Sequence, residues 1–212
     1  MRYKAYKYRI YPNKEQQELI GKHIGCCRFV YNLCLEKKIN AYKTSKKNLS
    51  KFDLMKLLPA LKKEQETSFL KEVNSLSLQA AICNLDNAYQ RFFKEKKGFP
   101  KFKSKRNARQ SFQIKQNTYV DFDEKKVFIP KFKEGIKCRF HRFFDGKIKT
   151  STISRTSTGR YYISILVELD DNNPSKKPID ESKAVGIDLG IKTFATLSNG
   201  KEIPNPRNLK NA

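Results

Sequence analysis

The sequence predicts an α+β chain: an antiparallel β-barrel, or alternatively a sandwich, carrying a helical insertion, followed by a short separate run of strands. Three observations predict it. A strand-like segment stands at the start, a long helical stretch follows, and from Ser111 onward the pattern turns to β. A lone strand cannot bury its face. The first segment is therefore expected to pair with the late strands, which makes the helices an insertion into a β domain.

Residues 2–11 read as a strand with Tyr6, Tyr8 and Ile10 on one face and Lys7 and Arg9 on the other. Pro12 ends it. Asn13-Lys14-Glu15-Gln16 fits a capping box, with Asn13 as N-cap and Gln16 reaching back. The helix it opens carries Ile20, Ile24, Cys27, Tyr31 and Cys34 on one stripe. Residues 43–48 read as a polar loop. Ser50-Lys51-Phe52-Asp53 opens a second helix with Leu54, Leu57, Leu58 and Leu61 on its apolar side, which Pro59 is expected to kink or end. A third helix is expected from about Leu76 to Lys96, with Leu78, Ile82, Leu85, Tyr89 and Phe92 as its stripe and Gly98 as C-cap. Strands are expected at 111–115, 118–122, 126–130, 136–142, 147–154 and 160–169, with turns at Asp123-Glu124, Asp145-Gly146 and Thr158-Gly159. The polar, proline-bearing run Asp170–Pro178 reads as a linker. The expected domains are thus a β-barrel from 1–12 and 109–172, a helical insertion at 13–108 with a basic loop at 94–109, a linker at 173–182, and an incomplete sheet at 183–212.

The chain has 212 residues, enough for a real core, and a formal net charge of +24. Self-repulsion on that scale calls for a polyanion, nucleic acid first and an anionic membrane surface second. No apolar run approaches a membrane span, and Met1-Arg2-Tyr3-Lys4 does not begin a signal peptide. The five cysteines, Cys26, Cys27, Cys34, Cys83 and Cys138, include no Cys-x-x-Cys, which argues against a disulfide framework and a zinc ribbon. Buried thiols in a reducing cytosol are the plain reading. His23 and His141 have no ligand-like neighbours in the sequence.

The stretch Val185–Ser198 sets Asp188 between Gly186 and Gly190, followed by a second β run and the turn Asn199-Gly200. An RNase-H-like sheet begins this way, its first strand delivering a carboxylate to a divalent-metal site. Such a site needs several carboxylates on two ions, and 24 residues follow Asp188. The expectation is a remnant catalytic and metal position in an incomplete site. An aspartate that merely caps a turn, or the opening of an actin-like ATPase, are the alternatives. Ile191-Lys192 stand where such an ATPase carries phosphate-facing hydroxyls.

Candidate nucleic-acid contacts follow from charge and placement. From Arg91 to Arg109 there are nine basic residues and one acid, Glu95, with Phe99 and Phe102 interleaved. Lys101, Lys103, Lys105, Arg106 and Arg109 therefore read as a polyanion-binding element or, more blandly, a solvated loop. Arg28 and Asn32, one helical turn apart, either contact a phosphate backbone or hold a helix end. Gln79 and Arg91 lie off the Leu78 stripe and suit polar contacts, and Lys7 and Arg9 share the face of the first strand away from its core.

Taken in order, Tyr8–Pro12 with Gln16, Gly25–Asn32, Leu78–Ala81, Ala88–Phe93, Gly98–Lys103, Ile129–Lys131, Gly159–Tyr162, Gly186–Gly190 and Asn205–Arg207 resemble the TnpB (OrfB) family. These are insertion-sequence-encoded RNA-guided DNA endonucleases similar to type V CRISPR effectors. The resemblance implies a wedge-type β domain interrupted by a helical recognition domain, then a RuvC-like nuclease domain. It also implies guide RNA and DNA as partners, Mg²⁺ in the full-length family, and a location in the bacterial cytosol with the nucleoid. It further implies that Lys131, Lys133, Lys137, Arg139 and Arg142 line an RNA groove. Full-length members continue with further acidic motifs and a four-cysteine zinc ribbon, so only Asp188 carries over as a catalytic position. The expected function is the nucleic-acid-binding half of such an endonuclease, without cleavage of its own. The alternative is a stand-alone, non-cleaving RNA- or DNA-binding regulator.

Overall fold

The structure, a computed structural model, describes residues 2–106, 110–170 and 180–208. It falls into two compact units, Met1–Asn172 and Asn173–Ala212.

In the first unit, β1 (Arg2–Tyr11) is followed by three helices, α1 (Lys14–Ser45), α2 (Lys51–Lys63) and α3 (Ser75–Glu95). Six strands come next: β2 (Gln110–Ile114), β3 (Tyr119–Asp121), β4 (Lys126–Ile129), β5 (Phe132–Arg139), β6 (Lys147–Arg155) and β7 (Tyr161–Leu169). The seven strands form one antiparallel sheet in the order β2-β6-β7-β1-β5-β4-β3. β1 is therefore central, paired along its length with β7 and at its end with β5. The isolation of the first strand is resolved as its sequence context demands. The expected antiparallel barrel is seen in part: the sheet is a curled half-barrel whose edges are β2 and β3.

One apolar cluster joins both layers. Tyr6, Tyr8 and Ile10 of β1 lie in it with Ile163, Ile165 and Val167 of β7, Ile24 and Leu35 of α1, and Leu78 and Ile82 of α3. His23 stacks at 4.7 Å on Phe112 of β2 and lies 5.7 Å from Phe132 of β5, so the α1 stripe docks directly on the sheet. The Asn13 capping box forms, and Gln16 serves twice. Its Oε1 accepts from the Asn13 N–H at 3.1 Å, while its Nε2 donates to the Gly135 carbonyl of β5 at 2.8 Å. A second capping box forms at Ser50 and Asp53.

Four local expectations are revised. α1 runs on to Ser45. α2 continues through Pro59 to Lys63, because Leu54, Leu58 and Leu61 on its inner side are buried and hold it down. α3 is closed by Lys96 in the left-handed region (φ 51°), whose N–H donates to the Arg91 carbonyl, and not by Gly98. β5 begins at Phe132, ahead of Gly135 with its φ of 69°, and stops at Arg139.

In the second unit, β8 (Ile187–Leu189), β9 (Thr193–Leu197) and β10 (Glu202–Pro204) form a three-stranded antiparallel sheet in the order β10-β9-β8. Ile187 is 64% exposed, Leu189 70% and Ile191 91%. Most of the expected linker falls outside the described residues. Among the described residues no helix is long and apolar enough to cross a membrane.

Candidate nucleic-acid interface

The central strands put aromatic and apolar side chains inward and basic ones outward. Lys7 and Arg9 are exposed, on the face opposite buried Tyr6, Tyr8 and Ile10. The sheet register sets Arg9 directly opposite Arg139 of β5 on one side and Tyr162 of β7 on the other. Tyr11 lies opposite Lys137, which in turn faces Lys126 of β4. Rings and cations interleave: the Lys7 ammonium is 4.7 Å from the Tyr162 ring and the Arg9 guanidinium 5.1 Å from the Tyr11 ring. Like charges placed directly across a ladder repel. Among the described residues no carboxylate forms a salt bridge with Arg9 or Arg139, whereas Lys126 has Glu124 at 3.5 Å. Glu168, farther along β7, is already engaged. It accepts from Tyr3 at 2.7 Å and from Lys149 at 2.9 Å, and those hydrogen bonds hold its carboxyl below the usual range.

The other basic residues of the β region do not share this face in one group. Lys131 occupies the left-handed turn between β4 and β5 (φ 78°). Lys133 borders a hollow beside the start of α1 with Glu15 and Gln16. Arg142 lies 5.9 Å over the Tyr6 ring, and its carbonyl accepts from the Tyr8 hydroxyl at 2.7 Å.

A second basic region forms where the loop after α3 returns along α1. Asn32 clamps that loop: its Nδ2 donates to the Lys103 carbonyl at 3.0 Å, and its Oδ1 accepts from the Lys103 N–H at 2.8 Å. The structure thus gives Asn32 a loop-anchoring contact. Arg28 is half-buried and borders a hollow of about 370 Å³ with Asn32, Glu36 and Phe102. The Lys103 ammonium tucks 4.1 Å over the Tyr31 ring, and desolvation there holds it below its ordinary value. Lys101, Lys105 and Arg106 are exposed. Arg109 lies outside the described residues. Gln79 is half-buried in the first half of α3 and Arg91 exposed toward its C-terminal end, about 18 Å apart at the helical rise.

The titratable interior is inert. His23 donates from Nδ1 to the Leu19 carbonyl at 2.8 Å, and its Nε2 accepts from the Asn74 N–H at 3.1 Å. It is a neutral strut between α1 and the start of α3. Burial pushes the Cys27 thiol up to about 12, Cys34 to about 11 and Cys138 to about 12, so they stay protonated.

Asp188 lies in β8 opposite Thr196, between exposed Ile187 and Leu189. Among the described residues no three His, Cys, Asp or Glu side chains converge in a way that would hold a metal ion. This chain's described donors do not fit a two-ion site.

Sequence reasoning missed the partnership of Arg9 with Arg139, Tyr11 and Tyr162. The alternation Lys7, Arg9, Tyr11 shows half of it. The other half lies across a pairing of residues more than a hundred positions apart and needs the register.

Comparison with known proteins fits this architecture. A family model described as "Helix-turn-helix domain" matches residues 1–47, and one described as "Probable transposase" matches residues 164–212. In this structure the first segment is β1 and one uninterrupted helix, so that label does not describe its local geometry. A "Putative RNA-guided DNA endonuclease" of Streptomyces pristinaespiralis is 33% identical over 206 residues, 96% of this chain and 50% of that protein. The "Putative RNA-guided DNA endonuclease InsQ" of Escherichia coli (strain K12) is 31% identical over 199 residues, 94% of this chain and 48% of that protein. "Virulence protein VsdF" of Salmonella dublin is 38% identical over 111 residues, 48% of this chain and 93% of that protein. The chain spans about half the length of the two endonuclease relatives. With both ends matched by family models and nearly its whole length by these relatives, the chain belongs to the TnpB/OrfB family of transposase-associated proteins.

Proposed function

We propose that this chain is the N-terminal, nucleic-acid-binding half of a TnpB-like RNA-guided DNA endonuclease, that it holds guide RNA and target DNA, and that it does not cut DNA by itself. The observation that carries the reading is the in-register pair Arg9 and Arg139, flanked by Lys7, Lys137, Tyr11 and Tyr162 on the solvent side of the sheet. Two arginines set directly across a ladder repel each other and cost stability unless an anion offsets them, and a phosphate backbone supplies that anion. The interleaved tyrosines offer stacking surfaces. In this reading the half-barrel is the wedge-like domain, residues 13–108 the recognition insertion, and β8–β10 the first strands of a RuvC-like sheet. The bacterial cytosol, where these partners reside, is the expected location. Asp188 would hold Mg²⁺ only with carboxylates beyond those described here, since in-line phosphodiester hydrolysis needs both ions clamped.

The test is a pair of measurements on Arg9→Gln/Arg139→Gln. RNA binding should weaken, and the log–log salt slope should fall by about 1.4–1.8, two phosphate contacts' worth. Thermal stability should hold or rise, because the repulsion is gone. An unchanged slope sinks the reading. The unmodified chain incubated with duplex DNA and Mg²⁺ should leave it intact. Cleavage that disappears in Asp188→Ala would overturn the non-cleaving part.

A further inference from the structure

α1 and α3 run side by side in the same direction. His23 meets Asn74, Cys27 meets the Ser77 carbonyl at 3.3 Å, and Lys38 lies over Tyr89, so both helices end at one tip. At that tip is a cleft of about 500 Å³, within the range that encloses a small ligand. Its walls are rings: Tyr89 and Phe92 meet Phe99 edge-on at 5.5 and 5.3 Å, and Phe92 meets Phe93 at 5.0 Å. Three of the rings face water, Phe93 at 68% exposure, Tyr42 at 58% and Phe99 at 46%. Exposed aromatic surface gathered in a concave site marks a binding surface. The rim is cationic: Lys43 and Lys47 border it, and Lys46 stands 5.1 Å over the Tyr42 ring. No carboxylate is among its described lining residues.

We propose that this cleft takes one unstacked base of a single-stranded nucleic acid, with the flanking phosphates on Lys43 and Lys47. The proposal rests on the nucleic-acid reading above and adds a second contact, on the helical tip. Charge complementarity selects the occupant. Both helix C-termini direct their negative dipole ends here, which disfavours an anion, but that effect fades within the last turn and is screened by salt. It is also already answered: the Lys46 N–H donates to the Ala41 and Tyr42 carbonyls, and the Lys96 N–H to the Arg91 carbonyl. Lys38 is occupied too, donating to Asn48 Oδ1 at 3.1 Å and to the Leu49 carbonyl. Lys43 and Lys47 are left exposed beside a floor of π-faces. Every base has a face that stacks on such rings, and a duplex buries that face.

The experiment uses the full chain and a single-stranded oligothymidylate carrying one 2-aminopurine, whose fluorescence is quenched by stacking. Wild type should quench it and bind it more tightly than the same oligonucleotide with an abasic site at that position. Phe93→Ala should abolish the quenching, equalise the two oligonucleotides and weaken binding about tenfold, the size of one base–aromatic stack. Its salt slope should not change. Because Phe93 faces solvent, α3 should remain helical, which circular dichroism checks. Lys43→Gln/Lys47→Gln should keep the quenching and lower the slope by about 1.4 for single strands. Phe93→Ala with intact quenching and affinity overturns the proposal. So does a cleft whose loss abolishes only self-association of the chain or uptake of an acidic, aromatic peptide. If Phe93→Ala is silent while Arg9→Gln/Arg139→Gln still weakens binding, this inference fails and the proposed function stands. If the wild-type chain binds neither RNA nor the oligonucleotide, both fail.

Discussion

The half-barrel unit and the terminal sheet are made from the same kinds of side chain and end in opposite condition. Ile163, Ile165 and Val167 in β7 are fully buried, whereas Ile187 and Leu189 in β8 are mostly exposed. Both strands alternate, and both pair antiparallel with their neighbours. What separates them is a second layer. The seven-stranded sheet has α1 and α3 laid on its inner face through Ile24, His23 and Leu78, while the apolar side chains of β8 look into water. Ladder hydrogen bonds make a strand. Burial of its face against something else makes it stable.

The sharpest way to break this comparison is truncation in each unit. Leu35→Ala, at a fully buried position of α1, should cost about 2–5 kcal/mol, from lost burial and the cavity left behind. Leu189→Ala should cost less than about 0.5 kcal/mol, as at other surface positions. The chain has no tryptophan, and all ten tyrosines precede residue 163, so urea unfolding followed by tyrosine emission reports the first unit alone. Hydrogen exchange then reads the terminal sheet, whose amides should exchange well before those of β1 and β7. Equal protection in the two sheets would refute the contrast.

The next effect is a pH dependence confined to the first unit. Burial lowers the His23 pKa from its ordinary 6.5, so the folded unit keeps the ring neutral while the unfolded chain takes up a proton. Stability should therefore fall as pH drops below about 6.5, by at most about 1.4 kcal/mol per pH unit, with no loss above it. Urea midpoints at pH 7.5, 6.5 and 5.5 measure this, and His23→Gln should flatten the dependence. A dependence that survives the substitution would move the origin away from His23.

The last comparison separates clamp from contact within the basic loop. Asn32→Ala should cost roughly 1–2 kcal/mol for its two hydrogen bonds and speed exchange of the Lys103 amide, leaving the salt slope of RNA binding nearly intact. Changing Lys101, Lys105 and Arg106 together to Gln should do the reverse: little loss of stability, and a slope lower by about 2–3. If the triple change leaves the slope unmoved, the loop is a bystander.

Much of this was legible because it is local. The β1 face, the α1 stripe and the Asn13 capping box depend on residues within one or two turns of each other, and each forms as read. The errors came where distant packing overrides a local rule. Pro59 does not end α2, because the buried leucines around it outweigh one lost hydrogen bond. The sequence pattern starts a strand at 136, but β5 begins at Phe132 and absorbs the positive φ of Gly135 within it. Barrel closure could not be judged, since it depends on whether β2 and β3 meet. The candidate site was legible as a set of cations and not as a geometry: nothing near Arg9 in the chain announces Arg139, and nothing near Asn32 announces Lys103.

The double use of Gln16 carries a lesson for anyone redesigning this protein. Helix-start statistics treat glutamate and glutamine as interchangeable at the third helical position of a capping box. Here they are not. A glutamate could still accept from the Asn13 amide, but it would set a carboxylate against the Gly135 carbonyl, where Gln16 now donates. Two acceptors would then face each other at a seam where the first long helix is riveted to a strand beyond the insertion. A substitution scored as harmless by any table of helix preferences would unfasten that rivet, and a library built on such tables would discard good folds without revealing why.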